Sequence, residues 1–364
     1  MAYYESAEDI YSTMFLGYTE TNTGKGSLLY NACMPVCMKL SQALMALDEA
    51  TKKIFAKTAL QSGYSSYLLL RTEEMGISKK GATYALIKIT VKGTPKAVFY
   101  KDSIVGTIDN RLYVVQSDLT LDDNGNGKIF VKAEKAGSTY NVNANEINYL
   151  PIKYNGITSV TNEEAYWDAY DEETDQALYE RYTLKVQTPA TSGNKYHYQN
   201  WALEVTGVGS AQVYPLWDKS NGLNGNGTVK IVIANSNYRA ASNDLIQAVY
   251  DHIEEERPIG PTITVVSEQE LTLNITAKIE FDSSVYDLEI LKTNISNAIS
   301  NYLKNTLSAT KKLNEISIMK IGALILSVTG VDDCISVSIN NSTVNIPIED
   351  NQIPVLGEVI CNEA

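Results

Sequence analysis

The feature that most constrains this chain is a change of hydrophobic period near Ala82. Before it, apolar residues recur every three to four positions. After Pro35 they are Val36, Leu40, Ala43, Leu44, Leu47, Ile54 and Phe55. That spacing predicts a long helix with one apolar stripe, opened by Pro35 in its first turn and stopped at Gly63. At 1.5 Å per residue it would extend roughly 40 Å. A shorter helix is expected from Ser65 to Met75, ended by Gly76. From Ala82 the period is two. Ile87, Ile89 and Val91 alternate with Lys88, Thr90 and Lys92, and Ile129, Val131 and Ala133 alternate with Lys128, Lys132 and Glu134. Such alternation marks half-buried strands, and the Gly/Asn turns between them imply an antiparallel β domain.

The remainder mixes both periods. The acidic stretch 161–190 reads as a polar connector, then a helix from about Thr174 that ends before Pro189. Helices are expected at "NKYHYQNWALEV" and "SNDLIQAVYDHIEEE", the latter with Leu245, Ile246, Val249, Tyr250 and Ile253 on one face. Strands are expected at "SAQVYPLW", "TVKIVIA", "ITVVS" and "LTLNITAKIEF". In the last, Leu271, Leu273, Ile275, Ala277, Ile279 and Phe281 face one way. A helix carrying Leu288, Leu291, Ile295, Ile299 and Leu303 follows, then an apolar stretch from Ile316 to Val328 and the strands "CISVSIN" and "PVLGEVI". The expected fold class is α+β and multidomain: N-terminal long helices (1–80), a small antiparallel β domain (81–160), an acidic connector and helix (161–190), and two α+β sandwich domains (191–283 and 284–364).

Charge and composition exclude several function classes. With 30 Lys plus Arg against 43 Asp plus Glu, the formal charge is −13. No basic run occurs, which argues against nucleic-acid binding. No stretch of 18 apolar residues suggests membrane insertion, and the acidic N-terminus lacks the basic region of a secretory signal. The four cysteines, Cys33, Cys37, Cys334 and Cys361, read as reduced thiols of a protein made in the cytoplasm. No further ligands stand near them, so no metal site is assigned.

Each candidate motif has a plainer reading. "DDNGNG" (122–127) resembles a calcium loop, but the twelfth position is Ala133 where a bidentate glutamate is needed, and the flanks read as strands; a β-turn fits better. "GLNGNGT" (222–228) precedes a strand, whereas a phosphate cradle must precede a helix. The carboxylates of 163–180 read as a solvated helical face rather than a glycosidase pair. His197 and His252 are the only histidines. No nucleophile elbow accompanies them, and His197 stands four residues before Trp201, placed to stack on it. No catalytic, cofactor-binding or metal-binding residue is assigned.

The ordered segments "EETDQALYERY" (172–182), "TPATSGNKYHYQNWALEVTGVGSAQVYPLW" (188–217), "GNGTVKIVIA" (225–234) and "RPIGPTITVVS" (257–267) together resemble the baseplate J-like wedge family of contractile phage tails and phage-tail-like bacteriocins. "GSLLYNACMPV" (26–36), "MGISKKGATYA" (75–85) and "KAEKAGSTYNVNANEI" (132–147) extend the resemblance to about residues 20–282. It implies a structural wedge protein with no cofactor. Such a protein pairs with a second copy of itself, joins a smaller second wedge protein through N-terminal helices, and links neighbouring wedges into a ring around the hub and beneath the sheath-initiating components. That ring transmits the contraction trigger. The expected location is the baseplate of a phage tail or tail-like particle. On this resemblance Val36, Leu40, Leu44, Leu47 and Ile54 become candidates for a helical-bundle interface. Asn194, His197, Trp201, Gly207, Gly209, Arg257, Pro258 and Gly260 become structural motif positions, with Asn194 as a helix cap. Two alternatives stay open: a carbohydrate-binding or glycan-cleaving tail protein, suggested by 24 tyrosines and three tryptophans, and a calcium-stabilised adhesin.

Overall fold

The structure is a computed structural model that describes residues 3–18, 22–188, 193–306 and 314–363. It divides into two compact units, residues 1–79 with 174–183, and residues 80–173 with 184–364.

The first unit is helical: α1 (Ala7–Met14), α2 (Leu28–Ile54), α3 (Ala56–Gln61), α4 (Ser65–Glu73) and the first part of α5 (Asp175–Gln187). Helix α2 differs from expectation at both ends. It starts at Leu28, where the Ser27 hydroxyl accepts the Tyr30 N–H at 3.1 Å, so Pro35 lies inside the helix rather than in its first turn. It stops at Phe55, whose extended backbone (φ −100°, ψ 133°) breaks the run before Gly63 is reached. Its 27 residues still span about 40 Å. Helix α4 ends near Gly76, which takes φ +67° while Ile77 N–H donates to the Thr72 carbonyl. Ala56, Ala59, Leu68, Ile77 and Leu178 form a small buried core among α3, α4 and α5.

The second unit opens with an antiparallel sheet. Its strands are β1 (Leu86–Gly93), β3 (Ile104–Gly106), β4 (Leu112–Val115), β6 (Asn126–Ala133) and β7 (Ile157–Thr161), in the order β3-β4-β6-β1-β7; β2 (Val98–Phe99) pairs with β5 (Leu119–Thr120). Ile87, Ile89 and Val91 of β1 and Ile129, Val131 and Ala133 of β6 point into one core, closed by Phe99, Tyr113 and Leu121. Alternation in the sequence therefore sets the register, Ile89 opposite Ile129. The "DDNGNG" segment is the turn into β6: the Asp122 carboxylate accepts the N–H groups of Asn124 (2.9 Å) and Asn126 (2.7 Å).

The acidic stretch corrects the reading of a solvated helical face. Residues 163–173 form no helix, and carboxylates among them have specific partners. Glu163 accepts from Thr90 (2.8 Å) and Lys128 (2.6 Å), and Asp171 accepts the Ser138 N–H (2.7 Å). Two buried asparagines hold this connector. Asn141 exchanges both amide hydrogen bonds with the backbone of Ala169, at 2.9 and 3.0 Å, and Asn162 bonds Ile147 N–H, the Asn143 carbonyl and the Glu164 carbonyl. A carboxamide offers both a donor and an acceptor, so it replaces a strand partner where the backbone runs irregularly.

After α5 come α6 (Lys195–Glu204), β8 (Val208–Pro215), β9 (Thr228–Asn235), α7 (Asn243–Glu256) and β10 (Thr262–Ser267). The sheet order is β10-β9-β8, and β9 and β10 are parallel across α7. Leu245, Val249 and Ile253 of α7 bury against it, while Tyr250 stays exposed. The chain closes with β11 (Gln269–Glu280), α8 (Leu288–Thr306), β12 (Glu315–Ile316), α9 (Ile318–Leu326), β13 (Asp333–Ile339), β14 (Ile346–Pro347) and β15 (Gln352–Glu363). Here β11 lies between antiparallel β13 and parallel β15. Leu273, Ile275, Ala277 and Ile279 face α8 residues Leu291, Ile295, Ile299 and Leu303 in one core. All four cysteines are free thiols. The whole is a mixed α+β, multidomain chain.

Candidate interaction surface

Helix α2 has two apolar faces, not one stripe. On the first, Met34, Cys37 and Ser41 are buried beneath α1, in a cluster with Ile10 and Tyr11. Polar ties fix that strap: Ser41 Oγ donates to the Glu5 carbonyl at 2.7 Å, and the Asp48 carboxylate accepts the N–H groups of Tyr3 (2.7 Å) and Tyr4 (2.9 Å). On the second face Val36 is 60% exposed, Leu40 46%, Leu47 45% and Ile54 57%. Leu44 departs from those four; it is half-buried and packs toward α1. The exposed row repeats every three and four residues through Val36, Leu40, Ala43, Leu47, Ala50 and Ile54, which is a heptad seam.

The last turns of α2 and one face of α4 enclose a groove of about 550 Å³ that continues this row. Ala46, Ala50 and Ile54 form one wall, and Tyr67, Leu70, Arg71 and Glu74 the other. Lys53 Nζ sits 5.1 Å from the Tyr64 ring centre and 5.3 Å from that of Tyr67. Arg71 pairs with Glu74, whose charge raises the guanidinium pKa further. Glu49 accepts from Lys52 and from the Tyr64 hydroxyl; these hydrogen bonds hold its carboxyl below the usual range and push the phenol up. The α4 wall went unread in the sequence, although Tyr67, Leu70, Arg71 and Glu74 follow helical spacing.

The motif residues lie in the second unit. The Asn194 side chain accepts His197 N–H at 3.0 Å and caps α6. Ser192, which opens the stretch before it, falls outside the described residues. The His197 ring stacks on Trp201 at 4.2 Å and 15°, and its Nδ1 accepts Gly193 N–H. The ring is therefore held on one face by stacking and at Nδ1 by a hydrogen bond. Gly207 takes φ +100°, and a Cβ there would stand 2.7 Å from the Tyr170 ring. Gly209 sits at a register shift of β8, against the Asn235 carbonyl. Arg257 ends α7 with its guanidinium on Glu254 (2.7 Å) and the Pro261 carbonyl (2.7 Å). Pro258 abuts Gly193, and Gly260 turns the loop at φ +124°. His252 Nε2 is 3.2 Å from Glu204. The tryptophans do not converge on one groove: Trp167 lies under Arg239, Trp201 under His197, and Trp217 under Lys230. No group of three potential metal ligands gathers among the described residues, and no described helix is long and apolar enough to cross a membrane.

The chain thus joins a helical N-terminal unit to a barrel-like sheet and two further α+β layers. The chain belongs to the baseplate J-like protein family. The family's barrel-domain profile matches residues 88–167, its central-domain profile 190–267 and its C-terminal-domain profile 273–362. Among relatives, the chain is 30% identical over 348 residues to the phage-like element PBSX protein XkdT of Bacillus subtilis (strain 168), covering 93% of this chain and 92% of that one. It is 26% identical over 272 residues to the baseplate protein gp47 of Escherichia phage Mu, covering 71% of each. Among solved structures, a chain of the cryo-EM anti-feeding prophage baseplate superposes with a TM-score of 0.38 at 10% identity, over 97% of this chain and 90% of that one.

Proposed function

We propose that this protein is a structural wedge subunit in the baseplate of a phage tail or phage-tail-like particle. In this reading α2 enters a bundle with helices of other chains. The folded body pairs with a second copy and links neighbouring wedges around the hub, and the resulting ring passes the contraction trigger to the sheath. The chain acts by assembly, without catalysis. One observation carries the reading: a 27-residue helix leaves Val36, Leu40, Leu47 and Ile54 outward while its other face is already occupied. Burying four such side chains contributes several kcal/mol at ~25 cal/mol per Å², which a lone monomer forgoes.

The test is reconstitution with the neighbouring tail proteins, imaged by electron microscopy. Wild-type chain is expected in ring or wedge assemblies, and Leu40→Asp with Leu47→Asp is expected to stay a folded, unassembled protein. Normal rings formed by the double variant would refute the bundle role of α2.

A further inference from the structure

The second unit holds three separate cores, and one short loop, 235–241 between β9 and α7, stands among them. Buried Asn235 turns this loop on itself: its Oδ1 accepts the N–H groups of Asn237 and Arg239, both at 3.0 Å. From there the side chains part. Asn237 Nδ2 donates to the carbonyls of Trp167 (2.8 Å) and Ala169 (3.0 Å), and the Arg239 guanidinium lies 4.0 Å from the Trp167 ring centre. Both therefore hold the connector that follows the barrel sheet. Tyr238 goes another way and lies on Ile353 and Val355 of β15, in a small junction core completed by Ala234. There it takes φ +55°, a left-handed conformation that a non-glycine residue keeps where its surroundings impose it.

The C-terminal domain, 269–363, changes partner within one peptide bond. Glu268 is the single residue between β10 and β11. It is 4% exposed and donates its N–H to the Ile233 carbonyl of the central sheet at 2.8 Å. The next N–H, of Gln269, already donates to Asn351 of the C-terminal domain at 2.7 Å. Further ties across the junction are the Tyr214 hydroxyl to the Asp350 carbonyl (3.1 Å), and Glu270 with the Ala240 N–H (3.2 Å) and Arg239 (3.8 Å). A cavity of about 70 Å³ separates the loop from Ser300 and Lys304 of α8 and Pro354 of β15, so these surfaces are not close-packed. The C-terminal core is built from residues of that domain alone, so the domain can move without opening itself.

We infer that the C-terminal domain is a hinged body that pivots at the Glu268–Gln269 peptide and is latched by the Tyr238 ring. Withdrawing the ring from Ile353 and Val355 lets the domain swing. Because the same loop holds Trp167 and Ala169, a shift of the connector moves the latch, and the C-terminal domain follows. This joint is a property of the chain by itself. It does not depend on α2 entering a bundle, so either reading can fail while the other stands.

The test uses the full chain with spin labels at exposed Glu255 of α7 and Lys320 of α9, attached through azide-bearing residues so that the four native cysteines are left alone. Double electron–electron resonance is expected to give one narrow distance when Tyr238 is present. Tyr238→Ala should broaden that distribution at least about twofold or add a second distance. Tyr238→Gly should do the same, and it carries no left-handed cost, so it serves if the alanine variant folds poorly. Tyr238→Phe, which keeps the ring, should stay narrow. Asn237→Ala, which releases Trp167 and Ala169 but leaves the ring, should broaden it too. Hydrogen exchange in peptides spanning α8 should remain within about twofold of wild type throughout, because the domain moves as a body. A broad distance in the wild-type background, an unchanged one in Tyr238→Gly, or equal broadening in Tyr238→Phe overturns the latch. An unchanged distance in Asn237→Ala overturns the coupling to the connector. Faster exchange in α8 alongside the broadening shows unfolding in place of a swing, and overturns the hinge.

Discussion

Replacing Asn162 by alanine should loosen the barrel domain where the connector is clasped to it. Asn162 is fully buried and makes three side-chain hydrogen bonds, from Ile147 N–H (2.8 Å) and to the carbonyls of Asn143 (2.7 Å) and Glu164 (2.8 Å). Each is worth ~1 kcal/mol net. The losses are unequal. Asn143 and Glu164 are exposed residues whose carbonyls can turn to water, but Ile147 is 0% exposed and its N–H is left without a partner. A buried orphan donor costs about 1–3 kcal/mol, so the total should be about 3 kcal/mol. At ~1.4 kcal/mol per decade that speeds local opening about a hundredfold. Hydrogen exchange read on peptides spanning 141–166 should show this, with peptides of the β11–β15 sheet unchanged. Asn162→Asp sharpens the test. The carboxylate would be buried facing two carbonyl oxygens, so its folded pKa must rise above the unfolded value near 3.9. A group with a raised folded pKa gives stability that is present below the unfolded pKa and lost as pH rises through the folded one. The aspartate variant should therefore exchange faster at pH 7 than its stability near pH 4 implies, once intrinsic exchange rates are corrected. Protection unchanged in Asn162→Ala, or a pH-independent Asn162→Asp, would refute the claim that this side chain holds the connector.

Gly207→Ala must hold φ +100° and place a Cβ 2.7 Å from Tyr170 and 3.2 Å from Leu245, so it should cost about 2–4 kcal/mol, read as a lowered melting temperature. Trp201→Ala removes a side chain only 7% exposed that packs on both His197 and Tyr198, and should cost about 3 kcal/mol in urea titrations followed by near-UV circular dichroism. Leu47→Asp at a 45% exposed position should leave the melting temperature of the isolated chain within about 1 kcal/mol of wild type while blocking assembly; a large loss of monomer stability would contradict the surface assignment. Chelator should not change calorimetric melting, because the Asp122 carboxylate already holds two backbone N–H groups of its own turn.

What the sequence made legible was whatever one segment decides alone. The alternation of β1, β6 and β11 survives in their burial because one face of each strand meets a core and the other meets water. The helix capped by Ser242 was legible because its cap and apolar face are local. What stayed hidden needed a second segment. Asp171 shows a charge in the sequence, but not the Ser138 backbone that binds it. The parallel pairing of β11 with β15 joins Leu271 to Pro354, with helices and strands between them in the chain. Helix α2 shows the limit most clearly. Met34, Cys37 and Leu44 follow the same three-four rhythm as Val36, Leu40 and Leu47, so periodicity merges two faces into one. The short strap of α1 breaks that degeneracy by covering the first set. Its position rests on backbone bonds to Ser41 and Asp48, polar residues that a search for apolar periods passes over. The outward face of α2 is therefore defined by two side chains of ordinary surface type. Removing both, as Ser41→Ala with Asp48→Ala, should free the α1 strap and expose the Met34 and Cys37 face, read as faster hydrogen exchange across residues 3–18.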